Sequence, residues 1–201
     1  SDYRMDSHAI RLSYSALDWA QLEAFSCLLD FDSADSELLS TATYGGRVQD
    51  GVPLGNVDLL MLYAAEFANQ REYGENPNDI DLNYYAGELG LTKLFENSAV
   101  GAIAVKADYE LLEGNGTSAF QTPLGTNHVF QGWADRFLIT PADGIQDLYG
   151  TVAASVYGAS LIVVYHDFSA DNDGYDYGTE WDAQLSKTFW ELYTLGLTYY
   201  L

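Results

Sequence analysis

The chain has 201 residues, 48% of them hydrophobic, with 30 acidic side chains against 8 basic ones and a formal net charge of −22. That length is most simply one domain spanning 1–201, and its apolar content is too high for an acidic disordered segment. The acidity excludes a nucleic-acid-binding face, which needs clustered cations, and the lone Cys27 excludes an internal disulfide or a cysteine-based zinc site.

The predicted elements are strands, each read from an alternation of period two. In "HAIRLSYSA", Ile10, Leu12, Tyr14 and Ala16 oppose Arg11, Ser13 and Ser15. In "DWAQLEAF", Ala20, Leu22 and Ala24 oppose Gln21 and Glu23. A less regular strand is expected near 39–49, followed by "VDLLMLYAAEFANQ", where Val57, Leu59, Met61, Tyr63, Ala65 and Phe67 form one apolar line. After another irregular segment at 80–91, "GAIAVKADYELL" alternates Ile103, Val105, Ala107, Tyr109 and Leu111 with Ala104, Lys106, Asp108 and Glu110. Irregular strands are expected near 146–157 and 159–168. Then "YGTEWDAQLSK" sets Tyr177, Thr179, Trp181, Ala183 and Leu185 against Glu180, Asp182, Gln184 and Ser186. The last stretch, "ELYTLGLTYYL", sets Tyr193, Leu195, Leu197, Tyr199 and Leu201 against Thr194, Gly196 and Thr198.

These segments amount to about ten strands of roughly 9–12 residues, the length of a tilted membrane crossing rather than of an average globular strand. Short connections ("ALDW", "VYGAS") alternate with long acidic ones ("DFDSADSELL", "NQREYGENPNDID", "DFSADNDGYDYG"). That rhythm fits an antiparallel up-and-down barrel with tight turns at one rim and long loops at the other. The longest connection, 113–146, is read as a loop folded into the lumen or over its mouth. Within it Val129, Trp133 and Phe137 stand at helical spacing, which predicts a short helix.

Alternation alone also describes a soluble barrel, but a solvent-facing polar side should be dense in charge. Here the polar sides are rich in small residues (Ser13, Ser15, Ala102, Ala104, Ser186, Gly196) punctuated by single charges, which suits a lumen. Aromatic residues near strand ends (Tyr14, Trp19, Tyr63, Tyr84, Trp181, Tyr193, Tyr199) suit interfacial girdles. No transmembrane helix is expected, because no run of about 18 apolar residues occurs.

The stretch "FQTPLGTNHVFQGWADRFLITPADGIQDLYGTVAASV", followed by "LIVVYHDFSAD", resembles the outer-membrane barrels of the alginate-export family, specifically porin-like members from proteobacteria. "YSALDWAQLEAF", "LYAAEFANQ" and "ENPNDIDLNYYAGELGL" look like the same family. The resemblance covers most of the chain and implies a Gram-negative outer-membrane location facing lipid and lipopolysaccharide. It also implies that the chain is a C-terminal portion, since family members are longer and have more strands. About ten strands then either close a small barrel or belong to a larger one.

Charge modifies what the resemblance implies. A polyuronate needs a cationic lumen, whereas the polar strand faces carry Arg11 and Lys106 among Glu23, Asp108, Glu110, Glu180 and Asp182. These seven are the expected pore-lining residues, and His128, Asp135 and Arg136 are the expected constriction. The expected function is a non-enzymatic channel for passive diffusion of small neutral or cationic solutes. The alternatives are a structural barrel in an oligomer or envelope assembly, and a soluble acidic ligand-binding barrel. No catalytic constellation is recognised and no cofactor is expected. Asp171, Asp173 and Glu180 partly fit a calcium-loop spacing, but Ser169 stands where the first Asp belongs. Loose binding of divalent cations by the acidic loops is the most expected of them.

Overall fold

The computed structural model describes residues 4–33, 36–55, 58–96, 98–125 and 131–201. Ten strands follow one another: β1 (Met5–Tyr14), β2 (Gln21–Phe31), β3 (Thr41–Pro53), β4 (Leu59–Glu72), β5 (Asp81–Leu94), β6 (Val100–Leu112), β7 (Ile145–Val156), β8 (Ala159–Ser169), β9 (Asp176–Phe189) and β10 (Tyr193–Tyr200). A single 3₁₀ turn, Glu37–Leu39, is the one helical element among the described residues. The strands form one ten-stranded sheet in sequence order, and each is antiparallel to the next. This is the expected all-β meander. It is not a closed barrel: β1 pairs with β2 alone and β10 with β9 alone, so both outer strands keep a free edge.

The connections fall into two sets. β1–β2, β3–β4, β5–β6, β7–β8 and β9–β10 are joined at one end of the sheet; β2–β3, β4–β5, β6–β7 and β8–β9 are joined at the other. The β7–β8 turn is the shortest. Tyr157 and Gly158 both take positive φ, 49° and 71°, the pairing that matches the twist of a two-residue hairpin. The long connection ends at Gly144 rather than 146, because β7 already begins at Ile145. The predicted helix is not seen in its described part: residues 131–140 run through turns, and Gln131 and Asp135 adopt left-handed φ of 53° and 55°. Val129, which completed the helical spacing, lies outside the described residues.

The sheet curls strongly. Arg47 of β3 and Val164 of β8 line the same cavity, so one face is concave and enclosed. We call this the inner face and its opposite the outer face. Along β6 the two alternate in burial: Ile103, Val105 and Tyr109 are exposed, whereas Asp108 and Glu110 are buried. Val105 is 53% exposed and Asp108 only 4%. The outer face continues across the register through Leu12, Leu22, Phe67, Leu89, Val152, Leu161, Leu185 and Leu197, all exposed. Toward the tight turns it carries exposed Tyr14, Trp19, Tyr157, Phe189, Trp190 and Tyr193. Toward the loops it carries Tyr44, Phe67, Tyr85, Tyr109, Trp181 and Tyr199. Tyr84, expected in a girdle, instead points to the inner face, where its hydroxyl donates to Glu110; its neighbour Tyr85 takes the outer position.

The apolar core is confined to the loop end of the inner face. Ala68, Ile80, Leu82, Leu112, Ile145 and Phe168 pack there around Phe120 of the long connection. Tyr84 lies 5.6 Å from the Phe120 ring, and Phe137 from the same connection lies 5.0 Å from Phe168. A β-branched residue at Gly158 would place a side chain in left-handed backbone, at a cost of about 1–2 kcal/mol. Gly158→Val is expected to lower the unfolding free energy by that amount, read as an earlier midpoint in a urea refolding curve. The same substitution at Gly87, whose Cβ position is open and whose φ is not positive, is expected to change it little.

Candidate functional site on the inner face

Sheet parity sets the inner face, because directly paired residues point the same way. Through the register, Ser13, Glu23, Arg47, Glu66, Ala86, Glu110, Asp147 and Phe168 form one row across β1 to β8. The row formed by Glu88, Asp108, Tyr149, His166 and Glu180 lies beside it. All seven expected pore-lining residues fall on this face. Arg11, near the free edge and exposed, pairs with Glu23 at 2.5 Å. Lys106 makes an ion pair with Glu88 and lies 3.9 Å from Asp108.

Further groups on this face were not among the expected pore-lining residues. Arg47 donates to Glu66 at 2.8 Å and to Gln49 at 2.7 Å. Asp147 accepts from His166 Nδ1 at 2.8 Å, and the far ring nitrogen of His166 lies 3.4 Å from Asp182. The sequence placed His166 beside Asp167, but neighbours in a strand face opposite ways, so its partner comes from β7 instead. The imidazole is sandwiched between Tyr149 at 4.9 Å and Phe168 at 5.2 Å. Nε2 faces a second carboxylate rather than a hydroxyl or thiol, so this pair has the geometry of a buried brace and not of a nucleophile with its base.

The described parts of the long connection lie on this face and are fastened by polar contacts. Gln70 and Gln121 clasp each other's amides: the Gln121 N–H donates to Gln70 Oε1, and Gln70 Nε2 donates to the Gln121 carbonyl, both at 2.9 Å. Gln121 passes the connection on to Thr140 through two further bonds of 2.8 and 3.2 Å. Gln131 donates to Glu110 at 2.5 Å, sharing that carboxylate with Tyr84. The backbone N–H of Ala134 donates to Glu180 at 2.8 Å, and that of Trp133 to Asp182 at 3.3 Å. Gly132 permits this approach: its φ is +84°, and a Cβ there would stand 2.8 Å from the Glu180 carboxylate.

Of the expected constriction residues, Arg136 lies 3.7 Å from Glu180 and is partly exposed. Asp135 is exposed at a turn, and His128 lies outside the described residues. Asp171, Asp173 and Glu180 are not brought together as a calcium loop would require. Asp171 accepts from the Gly114 N–H at 3.2 Å, and Asp173 sits at the 170–175 turn with a φ of 68°. Glu180 is buried in β9 against the long connection. No group of three His, Cys, Asp or Glu side chains is arranged for a metal ion among the described residues.

Among the described residues, two cavities lie between sheet and connection. One, of about 370 Å³, is mainly apolar and is bounded by Phe25, Cys27, Leu29, Ala68, Phe120 and Pro123. The other, of about 320 Å³, is bounded by Arg47, Glu88, Lys106, Asp108, Trp133 and Tyr149.

Replacing Glu180 by Gln removes the charge from a buried hydrogen bond, and Gly132→Ala forces the connection off that carboxylate. A charge-assisted bond is worth about 1.5–3 kcal/mol, which corresponds to roughly tenfold or more in the population of the open state. Tryptic cleavage after Arg136 is expected to accelerate by that factor in either variant, read by the appearance of the two fragments under native conditions. Asp81→Asn, at an exposed strand end, is expected to leave the rate unchanged.

No family model, curated protein or solved structure matches this chain, so the resemblance to the alginate-export family rests on the residues that carry it.

Proposed function

We propose that the chain forms the wall of an outer-membrane channel for passive diffusion of small neutral or cationic solutes, with the 113–144 connection narrowing its lumen. The observation that carries this reading is the inverted burial of the sheet, with aliphatic and aromatic side chains outward and carboxylates inward. A soluble monomer rarely exposes an apolar patch beyond a few hundred Å². Acyl chains offer such a face what water does not, and each large side chain withdrawn from water contributes about 1.5–3 kcal/mol. Aromatic residues toward both ends of the aliphatic band fit the two interfaces of a bilayer. The free edges of β1 and β10 are then joined to further strands, of the same polypeptide or of another copy, because unpaired backbone is not tolerated in hydrocarbon. The excess of carboxylates on the inner face argues against an anionic polymer as the solute.

A second reading, a scaffold barrel without conductance, is favoured by how firmly the connection is fastened to the inner face. Single-channel recording separates the two. The channel reading expects discrete conductance steps in a planar bilayer and a reversal potential of cation-selective sign under a salt gradient. Silence supports the scaffold, and anion selectivity contradicts the charge argument.

The lipid-facing assignment has its own test. Val105→Arg is expected to cost about 2–4 kcal/mol of folding stability in lipid vesicles if the residue lies near the midplane. In a soluble barrel the same exposed substitution changes stability by no more than about 0.5 kcal/mol.

A further inference from the structure

The 320 Å³ cavity lies at the small end of the range for ligand pockets, about 300–1,000 Å³. Its two cations are already matched: Arg47 by Glu66 and Lys106 by Glu88. Glu88 is thereby matched, whereas Glu110 and Asp108 have no cation to themselves. Glu110 is held by two neutral donors, Tyr84 and Gln131, which satisfy its oxygens without cancelling its charge. Asp108, 4% exposed, sits opposite Glu88 and shares Lys106 with it at 3.9 Å, and its second oxygen has no hydrogen-bond partner. A buried carboxylate oxygen without a donor is costly, and two uncompensated negative charges on one wall require a positive occupant or protons.

The rest of the lining selects the kind of cation. Trp133, Tyr149 and Tyr84 bound the same space, and aromatic faces attract ammonium groups, most strongly at Trp. A bare divalent ion needs six or more oxygens closing on it, whereas no group of three suitable side chains is gathered among the described residues. We infer that this cavity is a binding station for a small organic ammonium ion, with Asp108 as its counter-charge and Trp133 as its aromatic wall. The inference rests on the channel reading for its access route and gives that reading a solute class: amines and quaternary ammonium compounds that pause at Asp108 on the way through.

The test is calorimetric titration of the full chain, folded in detergent, with choline chloride at constant ionic strength. The expected result is saturable one-to-one binding, weakened at least tenfold by Asp108→Asn and about fivefold or more by Trp133→Leu. Asp81→Asn, which alters an exposed carboxylate paired with Arg71, is expected to bind as the unaltered chain does. If Asp108→Asn fails to fold, judged by lost heat-modifiable migration, Trp133→Leu and a tyrosine-ring deletion at Tyr149→Leu carry the test. Absence of saturable binding, undiminished binding in the folded variants, or equal competition by potassium chloride would overturn the proposal. Conductance measured on the same preparation keeps the two readings apart. A conducting chain that ignores choline removes the station and leaves the channel, and a silent chain that binds choline does the reverse.

Discussion

Backbone pairing with a strict period of two is the constraint on which everything else in this protein depends. Once β6 is paired to β5 and β7, every second residue must point inward, and the sequence has put Ala102, Ala104, Lys106, Asp108 and Glu110 at those positions. A slip of one residue would drive Asp108 and Glu110 outward and bring Val105 and Tyr109 into the enclosed space. The inverted burial is therefore a property of the whole register and not of any one strand.

The inward charges then need partners, and the long connection supplies many of them. Glu180 and Asp182 accept backbone N–H groups from Ala134 and Trp133, and Glu110 accepts from Gln131. The connection is held by the same groups that would otherwise stand unsatisfied, so the polar inner face and the folded loop stabilise one another. Apolar packing is limited to the loop end, where Phe120 and Phe137 meet the sheet. Below it the interior is polar and retains space.

Much of this was legible in the sequence because alternation is local. The ten strands, the tight-turn and long-loop ends, and the inward placement of Lys106, Asp108, Glu110, Glu180 and Asp182 follow from parity within single segments. What was not legible depends on pairing between segments. In "LNYYAG" two tyrosines stand side by side, and only the register with Leu112 and Glu110 decides that Tyr84 turns inward. Arg47, Asp147 and His166 sit in irregular segments, and their partners come from neighbouring strands. The helical spacing of Trp133 and Phe137 misled for a related reason. Hydrogen bonds from the connection's backbone and from Gln131 to strand carboxylates outcompete a local helix, which would have used those same backbone N–H groups. Sheet closure was invisible for the same cause, since alternation gives no information about whether the first and last strands meet.

On the function proposed, the outer face meets acyl chains while the inner face meets neither lipid nor bulk apolar solvent. Spin labels placed one at a time from Ala102 to Leu111, in a Cys27→Ser background reconstituted into vesicles, test it most directly through collision with oxygen and with a water-soluble nickel chelate. The account predicts a period-two profile, with oxygen access high at Ile103, Val105 and Ala107 and low at Ala104, Lys106 and Asp108. High nickel-chelate access at Ile103, Val105 and Ala107, with no matching oxygen maximum, would contradict it.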